Sequence, residues 1–174
     1  MVLDWALFFK TMRYFATFEL SLYSGFNLIA LLFAFSNLNA VQFAVAHEIF
    51  HKPNKLDRIV GTLHMSKNLY MHFTYEHVFG HHRRVATPED PASARKGENL
   101  YKFVVRSFFC SYKSVYDMEK EAGKPFLLNY CVLSIAAAIG FTSLIFAYYP
   151  IQAAILFVIE AYYSIFYLEA INYI

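Results

Sequence analysis

Two long stretches without a charged side chain limit what this chain can become. Residues 20–46 and 126–149 contain no Asp, Glu, Lys or Arg over 27 and 24 positions. A helix rises 1.5 Å per residue, so each is long enough to cross a hydrocarbon core of about 30 Å. Backbone inside lipid must satisfy its own hydrogen bonds, which leaves helices or closed barrels as the options. A third run, 151–171, is interrupted only by Glu160 and Glu169 and follows the second directly after Pro150. The last two runs therefore read as a transmembrane hairpin. With 58% hydrophobic and 16% charged residues, the expected fold is an all-α integral membrane bundle of about three to four transmembrane helices.

The cations are unevenly spread. Thirteen of the fifteen Lys and Arg lie between Lys52 and Lys124, so the positive-inside rule puts that segment on the cytoplasmic side of a bacterial inner membrane or its eukaryotic equivalent. A net charge of +2 gives no reason to expect nucleic acid. The basic segment suits lipid headgroups or an acidic protein instead. Cys110 and Cys131 are too few for a disulfide framework or a thiolate metal site. The start lacks the pattern of a cleavable signal peptide.

These features divide a single domain, 1–174, into five parts. Residues 1–19 form an amphipathic or weak transmembrane helix, with Lys10, Arg13, Thr17, Ser21 and Ser24 in one polar stripe. A transmembrane helix covers 20–46. Residues 47–124 are a cytoplasmic segment, and 126–149 and 151–171 form the hairpin. Within the cytoplasmic segment 56–82 reads as helical, VATPEDPASARKG at 85–97 as a loop, and an amphipathic helix starts near Glu98 and stops at Gly123 and Pro125. That last helix has an apolar, largely aromatic face (Tyr101, Val104, Val105, Phe108, Phe109, Tyr112, Val115, Tyr116) that packs on the membrane surface or on the rest of the domain.

All seven histidines fall between His47 and His82. His47 and His51 are four apart, so on a helix they share a face and can hold one metal. His77 and His81 repeat the spacing, with His82 turned about 100° away. His64 and His72 complete no comparable pair. Imidazole-rich, carboxylate-poor sites suit iron or copper. HEIFH also fits the HExxH pattern, in which His47 and His51 bind zinc and Glu48 is the general base of a protease; Glu76 or His77 would then have to be a third ligand.

HEIFHK at 47–52, HFTYEHVFGHH at 72–82 and RRVATPEDPASARKGENLYKFVVRS at 83–107 resemble the membrane-bound alkane monooxygenases, non-haem di-iron hydroxylases related to fatty-acid desaturases. LEAINYI at 168–174 is similar to the segment that in this family leads into a Glu-His-Tyr-Gly motif. The resemblance implies that His47, His51, His77, His81 and His82 are iron ligands, and that His72 is not. It implies a di-iron centre, dioxygen as co-substrate, a rubredoxin-type electron donor, and hydroxylation of the terminal carbon of alkanes or similar alkyl chains. An acidic donor would dock near Arg83, Arg84, Arg95 and Lys96.

Members of that family are roughly twice this length, and five of their usual nine histidines are matched here. The chain is accordingly expected to hold iron weakly by itself and to hydroxylate nothing alone, with a second chain supplying the missing histidines. Two other readings compete with the hydroxylase. One is a structural subunit of a membrane complex descended from such an enzyme; the other is the zinc metalloprotease using HEIFH.

Overall fold

The computed structural model describes residues 2–19 and 22–173, which are helical with no strand among them. The helices are α1 (Val2–Ala16), α2 (Leu22–Phe50), α3 (Lys55–Ser66), α4 (Phe73–Tyr75), a π-helical turn (Glu76–His81), α5 (His82–Arg84), α6 (Leu100–Glu121), a 3-10 turn (Phe126–Leu128), α7 (Tyr130–Tyr148) and α8 (Ile151–Tyr173). Among the described residues, three stretches are long and apolar enough to cross a membrane: Gly25–Phe50, Tyr130–Tyr148 and Ile151–Tyr173. The protein is an integral membrane helical bundle. Its spans turn large apolar side chains outward, among them Phe26, Ile29, Phe33, Leu133, Ile139 and Ile159.

Helix α1 has 15 residues, about 22 Å at 1.5 Å per residue, and so falls short of the hydrocarbon thickness. It buries Asp4, Phe8, Thr11, Met12 and Phe15, a helical stripe that meets Phe35 of α2 and Phe157 of α8 in one core. Lys10 and Arg13 stay exposed. Because α1 ends at Ala16, the polar stripe expected to run on through Thr17 is cut there; Ser21 lies outside the described residues.

Helix α2 runs four residues past the expected end, carrying His47 in its last turn. Pro53 and Asn54 then turn the chain. The Asn54 side chain caps α3 by accepting from the Leu56 N–H at 3.0 Å, and α3 folds back so tightly that a Cβ on Gly61 would sit 3.0 Å from Phe50 Cβ. The single helix expected over 56–82 is not formed. It stops at Ser66, and Leu69 takes the left-handed backbone at φ 56°, a conformation that reverses the chain and that side-chain-bearing residues seldom adopt. The turn keeps the segment after Ser66 at the same end of the bundle as the end of α2. A second core forms there from Phe43, Ala46, Phe50, Met65, Tyr70, Phe73 and Ile165.

That turn also buries a charge. Lys67 is fully buried, with Nζ 2.5 Å from Asp4 Oδ2 of α1 and donating to Asn39 Oδ1 of α2 at 3.1 Å. Asn39 Nδ2 donates to Glu160 Oε1 of α8 at 2.6 Å, and Ser164 Oγ donates to the same oxygen at 2.9 Å. Polar groups inside a membrane bundle face its interior and pair there.

Helix α6 starts one residue after Asn99, whose side chain accepts from the Lys102 N–H at 3.0 Å. Its expected apolar face is split: Val115 is buried and Phe108 and Tyr112 pack on the second core. Phe103, Ser107, Ser111, Ser114, Val115 and Glu119 point inward, and small hydroxyl residues let α6 lie close on α7 and α8. Tyr101, Val105 and Phe109 are turned outward.

Candidate metal centre

The end of α2, the π-turn and α5 converge on one cluster of imidazoles. His51 Nε2 lies 3.0 Å from His47 Nε2, His47 Nε2 lies 2.7 Å from His77 Nε2, and His77 Nε2 lies 2.9 Å from His82 Nε2. One nitrogen from each of the four is within 4.8 Å of the others. The sequence pairs His77 with His81; the structure pairs His77 with His82. The reason is backbone geometry. The His82 N–H reaches the His77 carbonyl, an i→i+5 bond that adds a residue to the turn and swings His82 onto the face where an α-helix would carry position 81.

His81 takes a different environment. Its Nδ1 is 2.8 Å from Asp90 Oδ2, and its ring stacks on His77 with centroids 5.2 Å apart. Asp90 is buried and fixed in turn by the Ala92 N–H at 3.0 Å and Ser93 Oγ at 2.5 Å. Nδ1–H donation to Asp90 leaves Nε2 as the basic nitrogen of His81. Sequence reading had assigned Asp90 only to a loop. The Asp-Pro-Ala turn that orients its carboxylate was the one available signal.

The four-ring cluster cannot be satisfied as hydrogen bonds alone. Each Nε2 has one in-plane valence, either a proton or a lone pair. His47 and His77 each face two neighbours, so at most two of the three contacts can be hydrogen bonds. A shared cation resolves the conflict by accepting every lone pair. Imidazole nitrogens bound side by side at about 2.0–2.1 Å from one ion lie about 3 Å apart, close to the spacings here. An all-imidazole donor set suits a transition metal rather than Mg²⁺ or Ca²⁺. The residues present therefore fit a transition-metal ion, iron among them.

Electrostatics agree. Burial, followed by the surrounding histidines, pushes His77 down to about 3, and burial with His51 and His81 lowers His82. Both shifts favour the neutral imidazole, the form that binds a metal. The hydrogen bond to Asp90 raises His81. Asp90 is raised by burial, but its bonds to His81, Ser93 and Ala92 outweigh that and hold it low.

The remaining candidates sit elsewhere. Glu76 turns away to Arg84 Nη2 at 3.1 Å and Ser114 Oγ at 3.2 Å, and burial raises it to about 7. His72 is fully buried, 2.9 Å from Ser111 Oγ and stacked on Tyr112 at 3.5 Å. His64 Nε2 is 3.4 Å from Asp4 Oδ2. Glu48 of the HExxH pattern is exposed. Arg83, Arg95 and Lys96 are exposed, whereas Arg84 is tied to Glu76 and does not join them. A cavity of about 320 Å³ lies between α6, α7 and α8, bounded by Leu69, Phe108, Tyr112, Ala138, Tyr162 and Ile165 among others.

Fold and site together define an integral membrane helical protein with a poly-imidazole cluster able to hold a metal ion at one end of the bundle. Residues 24–174 match the fatty acid desaturase family, and the chain belongs to that family. It is 38% identical over 143 residues to an alkane 1-monooxygenase of Acinetobacter baylyi, covering 79% of this chain and 35% of that protein. It is 37% identical over 98 residues to the alkane 1-monooxygenase of Pseudomonas putida, covering 56% of this chain and 24% of that one. Alkane 1-monooxygenase 1 of Pseudomonas aeruginosa is 31% identical over 147 residues, with 79% and 37% covered. The chain spans about a third of the length of the first and third of these relatives.

Proposed function

We propose that this chain forms the histidine-bearing part of a membrane non-haem iron monooxygenase that hydroxylates the terminal carbon of an alkane or similar alkyl chain. The observation that carries the reading is the cluster of four Nε2 atoms whose contacts cannot all be hydrogen bonds. His47, His51, His77 and His82 would hold iron. His81 adds a fifth imidazole whose Nε2 is left basic by Asp90, and the resemblance to di-iron enzymes gives it a second ion to serve.

Iron supplies the oxygen chemistry when bound: the alkyl C–H and dioxygen, with two electrons and two protons, become an alcohol and water. The protein's own residues do the rest. Phe50 and Phe73 pack edge-on or tilted against the His77 ring at 6.0 and 5.1 Å and keep water from its inner side. The cavity between α6, α7 and α8 is lined mainly by apolar side chains and suits an alkyl chain entering from the bilayer. Exposed Arg83, Arg95 and Lys96 suit an acidic electron carrier of the rubredoxin type, steered by charge. The density of Lys and Arg between Lys52 and Lys124 supports a cytoplasmic position for the histidine end. Four converging imidazoles with Glu48 exposed favour this reading over a zinc protease, whose three ligands keep one position open.

The test is anaerobic loading of the protein in lipid nanodiscs with iron(II), followed by metal analysis. Iron is expected to bind and to be lost on His77→Ala. Iron(II) binding unchanged by His77→Ala, or none even at saturating iron(II), would overturn the reading.

A further inference from the structure

We propose that Glu76, Gly80, Arg84 and Ser114 are positioning residues that lock the π-turn, and through it set His77 and His82 on one face. The inference rests on the reading of these histidines as ligands for its purpose, but not for its geometry.

Inserting a residue into a helical turn is unfavourable unless side-chain contacts over-determine it. Here the contacts are visible. The Glu76 carboxylate lies at the start of the turn and is 1% exposed. It accepts from Arg84 Nη2 at 3.1 Å and from Ser114 Oγ of α6 at 3.2 Å. Arg84, just past the end of the turn, also donates from Nε to the Gly80 carbonyl at 3.3 Å and from Nη2 to Ser114 Oγ at 2.5 Å. The pair therefore clasps the turn across its whole length and fastens it to a neighbouring helix.

Gly80 is what lets the clasp close. A Cβ there would overlap Glu76 Oε1 and come within 2.6 Å of Arg84 Nη2. Arg84 has solvent on one side and can retreat; Glu76 is enclosed and cannot. An alanine would leave a buried carboxylate without its partner, a costly arrangement, and the turn relaxes by returning to α-helical register. His82 would then rotate off the face that carries His77.

The test reads the register without a metal. In full-length protein with Cys110→Ser and Cys131→Ser, the pair His77→Cys and His82→Cys is bridged by a short thiol cross-linker. Because such bridging depends on how the two Cβ vectors face each other, Gly80→Ala is expected to slow it about tenfold. Glu76→Gln, which keeps the shape and removes the charge, should slow it less. Deleting Gly80 removes the extra residue and leaves the two positions four apart in an ordinary helix, so it should cross-link faster than Gly80→Ala. A purely structural role predicts the reverse, since a deletion disturbs folding more than an added methyl group. Cross-linking unaffected by Gly80→Ala, or a deletion variant no faster than Gly80→Ala, would overturn the lock.

Cobalt(II) binding to the native-histidine protein separates this from the metal reading. Gly80→Ala should weaken it about 10–100-fold, the range for groups that orient metal ligands. If cross-linking obeys the lock while cobalt binding ignores His77→Ala, the metal reading falls and the lock stands. If His77→Ala abolishes cobalt binding while cross-linking ignores Gly80→Ala, the lock falls and the metal reading stands.

Discussion

Two of the polar clusters in this apolar bundle are built on opposite plans. The seam of Asp4, Lys67, Asn39, Glu160 and Ser164 carries both signs of charge and closes its hydrogen bonds internally. The histidine cluster carries one kind of donor, pressed nitrogen to nitrogen, with more contacts than protons can satisfy. A self-neutralising cluster is a fastener. A cluster of one donor type offers lone pairs that a bound cation would satisfy.

The contrast is broken most strongly at Lys67. Lys67→Met leaves Asp4 buried without its counter-charge, which should cost about 3–5 kcal/mol in thermal unfolding of the detergent-solubilised protein. Adding Asp4→Asn should recover most of that. A loss below about 1 kcal/mol, the worth of an ordinary surface pair, would show that the seam fastens nothing.

At the other cluster the effect belongs to the ligand rather than to the fold. His77→Ala should lower iron(II) or cobalt(II) affinity by more than about 100-fold, beyond the usual cost of losing an orienting group, while the metal-free protein keeps its melting temperature. Isothermal titration beside a melting curve checks both halves.

Acid separates the clusters next. His64 is buried beside the seam, and burial, with Lys67 after it, lowers it to about 4. The unfolded chain takes up this proton near pH 6.5 and the folded chain only near 4. The stability His64 confers is therefore complete above 6.5 and is lost as pH falls toward 4, by roughly 2–3 kcal/mol. His64→Leu should flatten that part of the stability profile.

The smallest effect is expected at Asp90. Asp90→Asn keeps the shape but removes the charge that holds the Nδ1 proton of His81, and metal affinity should fall about 10–100-fold. Equal affinity in the two proteins would mean that His81 is oriented by its stack on His77 alone.

How much of this was legible in the sequence follows from what each feature depends on. The spans were visible because they require only the absence of charge over enough residues. The His47 and His51 pair was visible because α2 is regular to its end, so four residues make one turn. The pairing of His77 with His82 was hidden: counting residues assumes a fixed angle per residue, and the π-turn changes that angle through contacts from Arg84 and Ser114 that no local pattern announces. Nothing in the residues around Lys67 announces its burial. The turn that buries it depends on Asp4 and Glu160, far away in sequence. The inward face of α6 is only partly legible, for a related reason. Where a helix borders other helices on one side and the membrane on the other, its serines can be the buried residues and its aromatic rings the outer ones.

The seam also imposes an order on biosynthesis. Asp4 and Asn39 leave the ribosome before Lys67, but Glu160 follows long after it, when α6 and α7 have already been made. Until α8 arrives, Asn39 lacks the carboxylate it donates to, and the turn at Leu69 is fastened on one side only. The turn beside the histidine segment is thus made well before the seam that holds it is complete.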